Sequence, residues 1–356
     1  MTSVEVVAPL VEKAALAAEH LIRYPWRVWW FADSVGFEGL LAATEITGDK
    51  RYRDFAYGMT QAWLSRTTTR SGAPGTLGRA TADWDRFDFT APGVAMVDLA
   101  LHYENDALLA KLEELAEWQM WRPQAGGVTL LDPQYALWVW VDCMQFQGPF
   151  LTRLAAATGK EEYKRAGVRF LLSHHEVLAD ETRLYSHTYD VTLREANRIH
   201  WGRGQGWAMR GLWQTWSHLP DGDADRETIG RILAAQLDAL VAFQQESGHW
   251  RTIVDDPDAH EETSVAAFYV STAHAALRGG ILDGDRHGPA LERAWQALEA
   301  AIDEGGRLRG VSGNTHAGDA SHYRSVPRDV VVPWGQGPAL LAIRERLGFG
   351  AEGNET

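Results

Sequence analysis

FEGLLAATEITGDKRYRDFAYGMTQAWL, residues 37–64, is one helix, one polar turn and a second helix. On each side of the turn the apolar residues recur at i, i+3, i+4 and i+7, the spacing that puts them on one helical face. The turn TGDKRY (47–52) has a close copy in TGKEEY (158–163). ENDALL (104–109), PDGDADRE (220–227) and DGDRHGPA (283–290) fall between helical patterns in the same way. The interval is roughly sixty residues throughout, which marks a repeated supersecondary unit. A truncated sixth unit is QGPALLAIRERLG (336–348). Six helical hairpins of this length predict an all-α (α/α)6 barrel, with an open superhelix as the alternative. Strand-like alternation is confined to short pieces such as GGVTLLD (126–132), and no Ser/Pro/Gly linker divides the chain. Residues 1–356 therefore read as a single barrel domain.

A closed ring of hairpins leaves a funnel at one end, formed by the long connections. These are 65–87, 121–141, 179–201, 247–262 and 305–333, and they hold much of the chain's Trp, Gly, His and Asp. Function is expected there.

Bulk properties narrow the partners. The 356 residues are 45% hydrophobic and carry a formal net charge of −14. That balance opposes nucleic acid and anionic membrane surfaces as partners. The 16 Trp residues are the compositional outlier, suited to sugar rings and to helical cores alike. Cys143 is the one cysteine, so no intramolecular disulfide forms and nothing implies an oxidising compartment. The N-terminal stretch, broken by Glu5, Glu12 and Lys13, reads as an amphipathic helix and not a signal peptide. A cytoplasmic protein, monomeric or weakly self-associating, is the default.

The chemistry-bearing positions lie in the connections. WGRGQGWAMRGL (201–212) sets Arg203 among glycines and between Trp201 and Trp207. Arg offers a planar fork of donors for a carboxylate, and Trp offers flat faces for a sugar. Gly202, Gly204 and Gly206 would let the backbone turn and approach a ligand, with a helix starting after Gly206. The bland alternative is a turn whose Trp residues are core.

Asp142 precedes a helical pattern and is set among Trp138, Trp140 and Phe146. With Gln145 it fits a capping box. As a partly desolvated carboxyl it equally fits a general acid. Asp88 heads the preceding inner helix, so the two could share acid and base work. His187 closes a connection and is a candidate ligand, although a lone His is more often structural. The acidic run 255–262 lacks the spacing and glycine of a calcium loop and reads as surface. No zinc signature, P-loop or dinucleotide fingerprint is present, so neither metal nor cofactor is expected.

Taken in order, these segments resemble the unsaturated glycuronyl hydrolases of glycoside hydrolase family 105, with family 88 as a close cousin. The resemblance rests on FDFTAPG (87–93), VWVDCMQFQGPFLTRLAAATGKEEY (139–163) and LYSHTYD (184–190). It continues through WGRGQGWAMRGL, through GHWRTIVDDP (248–257) with ETS (262–264), and through VPWGQGPALLAI (332–343). The chain departs from the family pattern at Gln205, where Asn is usual, at Asp33, where Tyr is usual, and at Trp334, where His is usual.

The resemblance implies removal of a 4,5-unsaturated uronic acid from the non-reducing end of a lyase-generated oligosaccharide. Asp142 would protonate C4 of the enol ether, and Asp88 would assist it. Arg203 would pair with the uronate carboxylate or a neighbouring group, His187 and Asp88 would hold hydroxyls, and Trp201 and Trp207 would stack on rings. Gln205 and Asp33 would line the same pocket. The alternatives are an inverting glycosidase on a saturated sugar, a diverged sugar-binding protein, and an isomerase or cyclase on the same barrel.

Overall fold

The computed structural model describes residues 4–26, 31–68, 92–121, 124–125, 128–129 and 138–349. Six helices form an inner ring: α2 (Phe31–Thr47), α4 (Gly93–His102), α6 (Cys143–Thr158), α8 (Gly202–His218), α10 (Thr263–Arg278) and α13 (Pro333–Leu347). Each packs on the next, and α13 packs back on α2, so the ring closes. The open superhelix is excluded.

Outside it lie α1 (Val4–Ile22), α3 (Arg51–Thr68), α5 (Asp106–Trp121), α7 (Glu161–Leu178), α9 (Ala224–Ala242) and α11 (Gly284–Ala301). The truncated sixth unit gains its outer helix from the other end of the chain, because α1 packs on both α2 and α13. Local periodicity could not reveal that pairing. A short α12 (Ala320–Ser325) lies in the last connection.

Burial explains the two kinds of helix. The inner helices are enclosed on nearly all sides; in α8, all but one of the residues from Gly202 to Thr215 are buried. An outer helix such as α11 buries only a stripe, including Leu291, Ala294, Trp295 and Leu298. A helix covered on one face needs an amphipathic sequence, whereas one covered all round needs small and apolar residues everywhere.

Glycine sets how closely the inner helices approach. A Cβ on Gly39 would lie 2.6 Å from the Cα of Gly337, so α2 and α13 meet glycine to glycine. A Cβ on Gly211 would lie 2.1 Å from the carbonyl oxygen of Met144 and 2.9 Å from the amide nitrogen of Gln145. Those are backbone atoms and cannot swing aside. Gly211→Ala should therefore force α8 off α6 and cost about 1–3 kcal/mol or more, the range for overpacking a tight interior. A variant with an unshifted thermal midpoint would show that glycine does not set this contact.

The centre of the ring is polar. Ser34 Oγ donates to Gln145 Oε1 at 2.5 Å, and Gln145 Nε2 donates to Glu38 Oε1 at 2.9 Å. Arg210 grips the other oxygen of Glu38 with Nε and Nη2, at 3.0 and 2.6 Å. Helices α2, α6 and α8 are thereby tied through side chains that are all nearly inaccessible.

Among the described residues strands are few and short. β1 (Gln124–Ala125) pairs with β2 (Val128–Thr129). β3 (Trp138–Trp140), β4 (Thr188–Asp190) and β5 (Glu195–Ala196) form an antiparallel sheet in the order β3-β4-β5. β6 (Trp250–Arg251) pairs with β7 (Glu261–Glu262). Most of this pairing joins the connections that precede the inner helices. Bridges between Trp201 and Ile253 and between Ser312 and Arg328 add to it. The connections entering α6, α8, α10 and α13 are thus gathered at the end where the inner helices begin. Among the described residues no helix is long and apolar enough to cross a membrane.

Candidate active site

Asp142 stands at the head of α6, where the sequence placed it. Its backbone is already helical (φ −53°, ψ −34°), and its side chain makes no capping hydrogen bond. The capping-box reading fails for a second reason. The Gln145 side chain faces the central network, not the helix terminus. Asp142 is 7% exposed, and its carboxyl is not spent on capping the helix.

His187 faces it. The Nε2 of His187 lies 3.5 Å from Oδ2 of Asp142. The backbone explains why these two meet. β3 runs into Asp142 and pairs with β4, which follows His187, and the Val141 amide donates to the His187 carbonyl at 3.0 Å. Around the imidazole stand Trp201, with ring centroids 4.3 Å apart, Trp140 edge-on at 5.1 Å, and Tyr323 at 5.6 Å. Burial pushes the His187 ring below the ordinary histidine value, against the opposing pull of Asp142. It is a neutral ring beside a carboxyl.

Arg203 has a different role from the one expected. It is 1% exposed, and both terminal nitrogens are occupied. Nη1 donates to the Ser312 carbonyl at 3.1 Å and to Ser312 Oγ at 2.6 Å. Nη2 donates to the Gly313 carbonyl at 2.7 Å and to Thr315 Oγ1 at 2.9 Å. Its guanidinium lies over Trp201 at 4.5 Å and near Trp334 at 5.5 Å. Glu262 Oε1 is 3.6 Å away. Burial lowers the Arg203 pKa to about 10, opposed by the charges of Glu262 and Asp142. The guanidinium anchors residues 312–315 to the head of α8 and is not a free clamp for a uronate.

Four further candidates are buried in the wall of the site or behind it. Trp207 is fully enclosed, with Phe146 at 5.8 Å and Phe268 at 4.9 Å, so no ring face is open to a sugar. Gln205 is a backbone clamp, accepting from the Tyr185 amide at 3.0 Å and donating to the Tyr185 carbonyl at 2.7 Å. Asp33 is wholly buried in the first turn of α2. Trp201 is 2% exposed and stacks on His187 and Arg203, a wall of the site more than a sugar platform.

The glycines are likewise packing residues. α8 begins at Gly202, not after Gly206, and added Cβ atoms would strike Arg251, Val141 and Phe268. Asp88 lies outside the described residues.

Sequence reasoning missed several groups. Glu262 was counted in an acidic surface run. It is in fact fully buried, caps α10 through the Val265 amide and accepts from the Ser312 amide at 3.0 Å. Tyr323 lies in a connection marked as functional, but no pattern in ASHYRS picks it out. Among the described residues no cluster of three or more His, Cys, Asp or Glu side chains is arranged to hold a metal ion.

His200 was missed too. Its Nδ1 is 2.8 Å from Asp255 Oδ2 and its Nε2 is 2.9 Å from Asp180 Oδ2, so it joins two connections. Burial disfavours its charge, but the hydrogen bonds and charges of Asp255 and Asp180 outweigh burial and raise it above 6.5. A raised folded pKa adds stability below the unfolded value and loses it as pH climbs through the folded one. The stability gap between the wild type and His200→Gln should therefore be widest below about pH 6.5 and shrink at alkaline pH. Melting curves across that range check this, and a gap that widens with pH would reverse the assignment.

Known proteins share the sequence pattern and the fold of this chain. The sequence profile described as Glycosyl Hydrolase Family 88 matches residues 11–349. The chain is 26% identical to the unsaturated rhamnogalacturonyl hydrolase YesR of Bacillus subtilis, over 94% of this chain and 95% of that protein. Its fold superposes with a TM-score of 0.82 on a possible member of the GH105 family from Salmonella enterica, at 22% identity, covering 98% and 95% of the two chains. It superposes with a TM-score of 0.73 on the unsaturated glucuronyl hydrolase of Bacillus sp. GL1, at 19% identity and 96% of each chain.

Proposed function

The chain belongs to Glycosyl Hydrolase Family 88, and from that premise we propose that it removes a 4,5-unsaturated uronic acid from the non-reducing end of small lyase-generated oligosaccharides. The observation that carries this reading is Asp142. Its carboxyl heads an inner helix without capping it, is nearly buried, and faces a neutral imidazole at 3.5 Å.

The substrate class presents a C4=C5 enol ether. Asp142 donates a proton to C4, and positive charge develops at C5 and the ring oxygen. Water adds at C5 and returns a proton to the Asp142 carboxylate, and the resulting hemiketal opens and releases the aglycone. The step needs one positioned acid/base and no covalent nucleophile. A neutral His187 suits it, because a cation at the same distance would favour the ionised carboxylate and oppose proton donation. Asp88 is assigned the second carboxyl, orienting water or holding a hydroxyl. With Arg203 engaged in the fold, the uronate carboxylate must be met by other groups at the funnel.

The test is incubation with a panel of lyase-generated unsaturated disaccharides. The absorbance of the conjugated enol acid should disappear. Cleavage of saturated glycosides, with that absorbance untouched across the panel, would overturn the proposal.

A further inference from the structure

Tyr323 lies 136 residues from His187 in sequence, yet its Oη is 2.5 Å from His187 Nδ1. The bonds around this contact fix which atom carries which hydrogen. The chain starts at Asn197, whose Oδ1 lies 3.4 Å from the Thr188 amide and 3.2 Å from the Ile199 amide. Two backbone N–H groups need an acceptor, so the oxygen of this amide faces them. Its Nδ2 therefore faces outward, and it donates to Tyr323 Oη at 3.4 Å. The phenol oxygen thus accepts from Asn197, and its own hydrogen goes to His187 Nδ1. An imidazole that accepts at Nδ1 while neutral carries its proton on Nε2. That nitrogen lies 3.5 Å from Asp142 Oδ2, and both atoms are buried with no hydrogen-bond partner.

We propose that Tyr323 is a positioning residue that locks His187 in its Nε2–H tautomer, so that His187 donates to Oδ2 of Asp142 and leaves Oδ1 to carry the transferred proton. The catalytic consequence rests on the reaction proposed above; the tautomer does not. Burial agrees with the direction of the chain. It raises the Tyr323 phenol, so the hydroxyl keeps its hydrogen, and it lowers His187, so the ring stays neutral. Tyr323 is itself wholly buried, and its ring packs edge-on against the imidazole. The arrangement also gives the last connection a direct hand in the site. α12, which carries Tyr323, is held to the 247–262 connection by Arg324, whose Nη2 lies 2.6 Å from Asp256 Oδ2.

The experiment reads the tautomer directly, from the 15N shifts of His187 in uniformly labelled protein. The wild type should show a protonated Nε2 and an unprotonated Nδ1. Tyr323→Phe keeps the ring and removes the donor, so the two signals should move toward each other. Asn197→Asp should do more. Its carboxylate would draw the phenol hydrogen away from His187, and the imidazole proton would move to Nδ1. In Tyr323→Phe, kcat on an unsaturated disaccharide should fall about tenfold with KM within about twofold, the signature of misplaced catalytic groups. A wild-type spectrum with Nδ1 protonated would overturn the proposal. So would a Tyr323→Phe enzyme with a shifted tautomer and undiminished kcat. If the wild type hydrolyses no unsaturated substrate, the functional reading fails, and the 15N spectrum alone still decides the tautomer lock.

Discussion

Exchanging Asp142 for Asn is expected to cut kcat on an unsaturated disaccharide by a factor on the order of 10²–10⁴ with little change in KM. The substitution is unusually clean because of what Asp142 does not do. It heads α6 without a side-chain cap bond, so no helix terminus loses its partner. Asn has nearly the same volume, and its carbonyl oxygen can still accept from His187. Folding stability should therefore stay within about 0.5 kcal/mol of the wild type. Full turnover in a well-folded Asn variant would remove Asp142 from proton transfer and with it the enol-ether mechanism. A large loss of activity accompanied by an equally large loss of stability would point to a structural role instead.

The sequence made this residue legible because its signal is local. An Asp among aromatics at the start of a helical pattern can be read from twenty residues. The hairpin turns are legible for the same reason. Gly48 and Gly159, in TGDKRY and TGKEEY, both adopt positive φ, 73° and 71°, where only glycine is unstrained. Arg203 shows where locality ends. A guanidinium between glycines looks the same whether it meets a uronate or a loop, and its partners, Ser312 and Thr315, are more than a hundred residues away. Tyr323 is the mirror case: a tyrosine in an undistinguished connection becomes part of the site only because the fold brings it to His187, 136 residues away. Ring closure through α1 belongs to the same class. Glycine was misread for a related reason. In WGRGQGW it suggests a flexible turn, but three glycines at the start of a buried helix equally permit close packing, and only the neighbours decide.

The largest effect on stability is expected from Arg210→Met. Arg210 holds one oxygen of Glu38 with two nitrogens at the centre of the ring, and both side chains are at most 7% exposed. Removing the cation leaves Glu38 with Gln145 as its remaining partner, in surroundings where water cannot replace the lost bonds. A buried charge stripped of its partner typically costs about 3–5 kcal/mol, more than the pair itself contributes relative to an apolar replacement. Met fills similar volume, so little of the loss should come from a cavity. The charge argument makes a sharper forecast for the double variant. Adding Glu38→Leu removes the orphaned carboxylate, so Arg210→Met/Glu38→Leu should regain much of the stability that Arg210→Met loses. Denaturant midpoints of the wild type, both single variants and the double variant give the coupling energy directly. Strictly additive losses would mean that each side chain acts through packing alone, and the polar centre of the barrel would then hold α2, α6 and α8 together without any contribution from the ion pair.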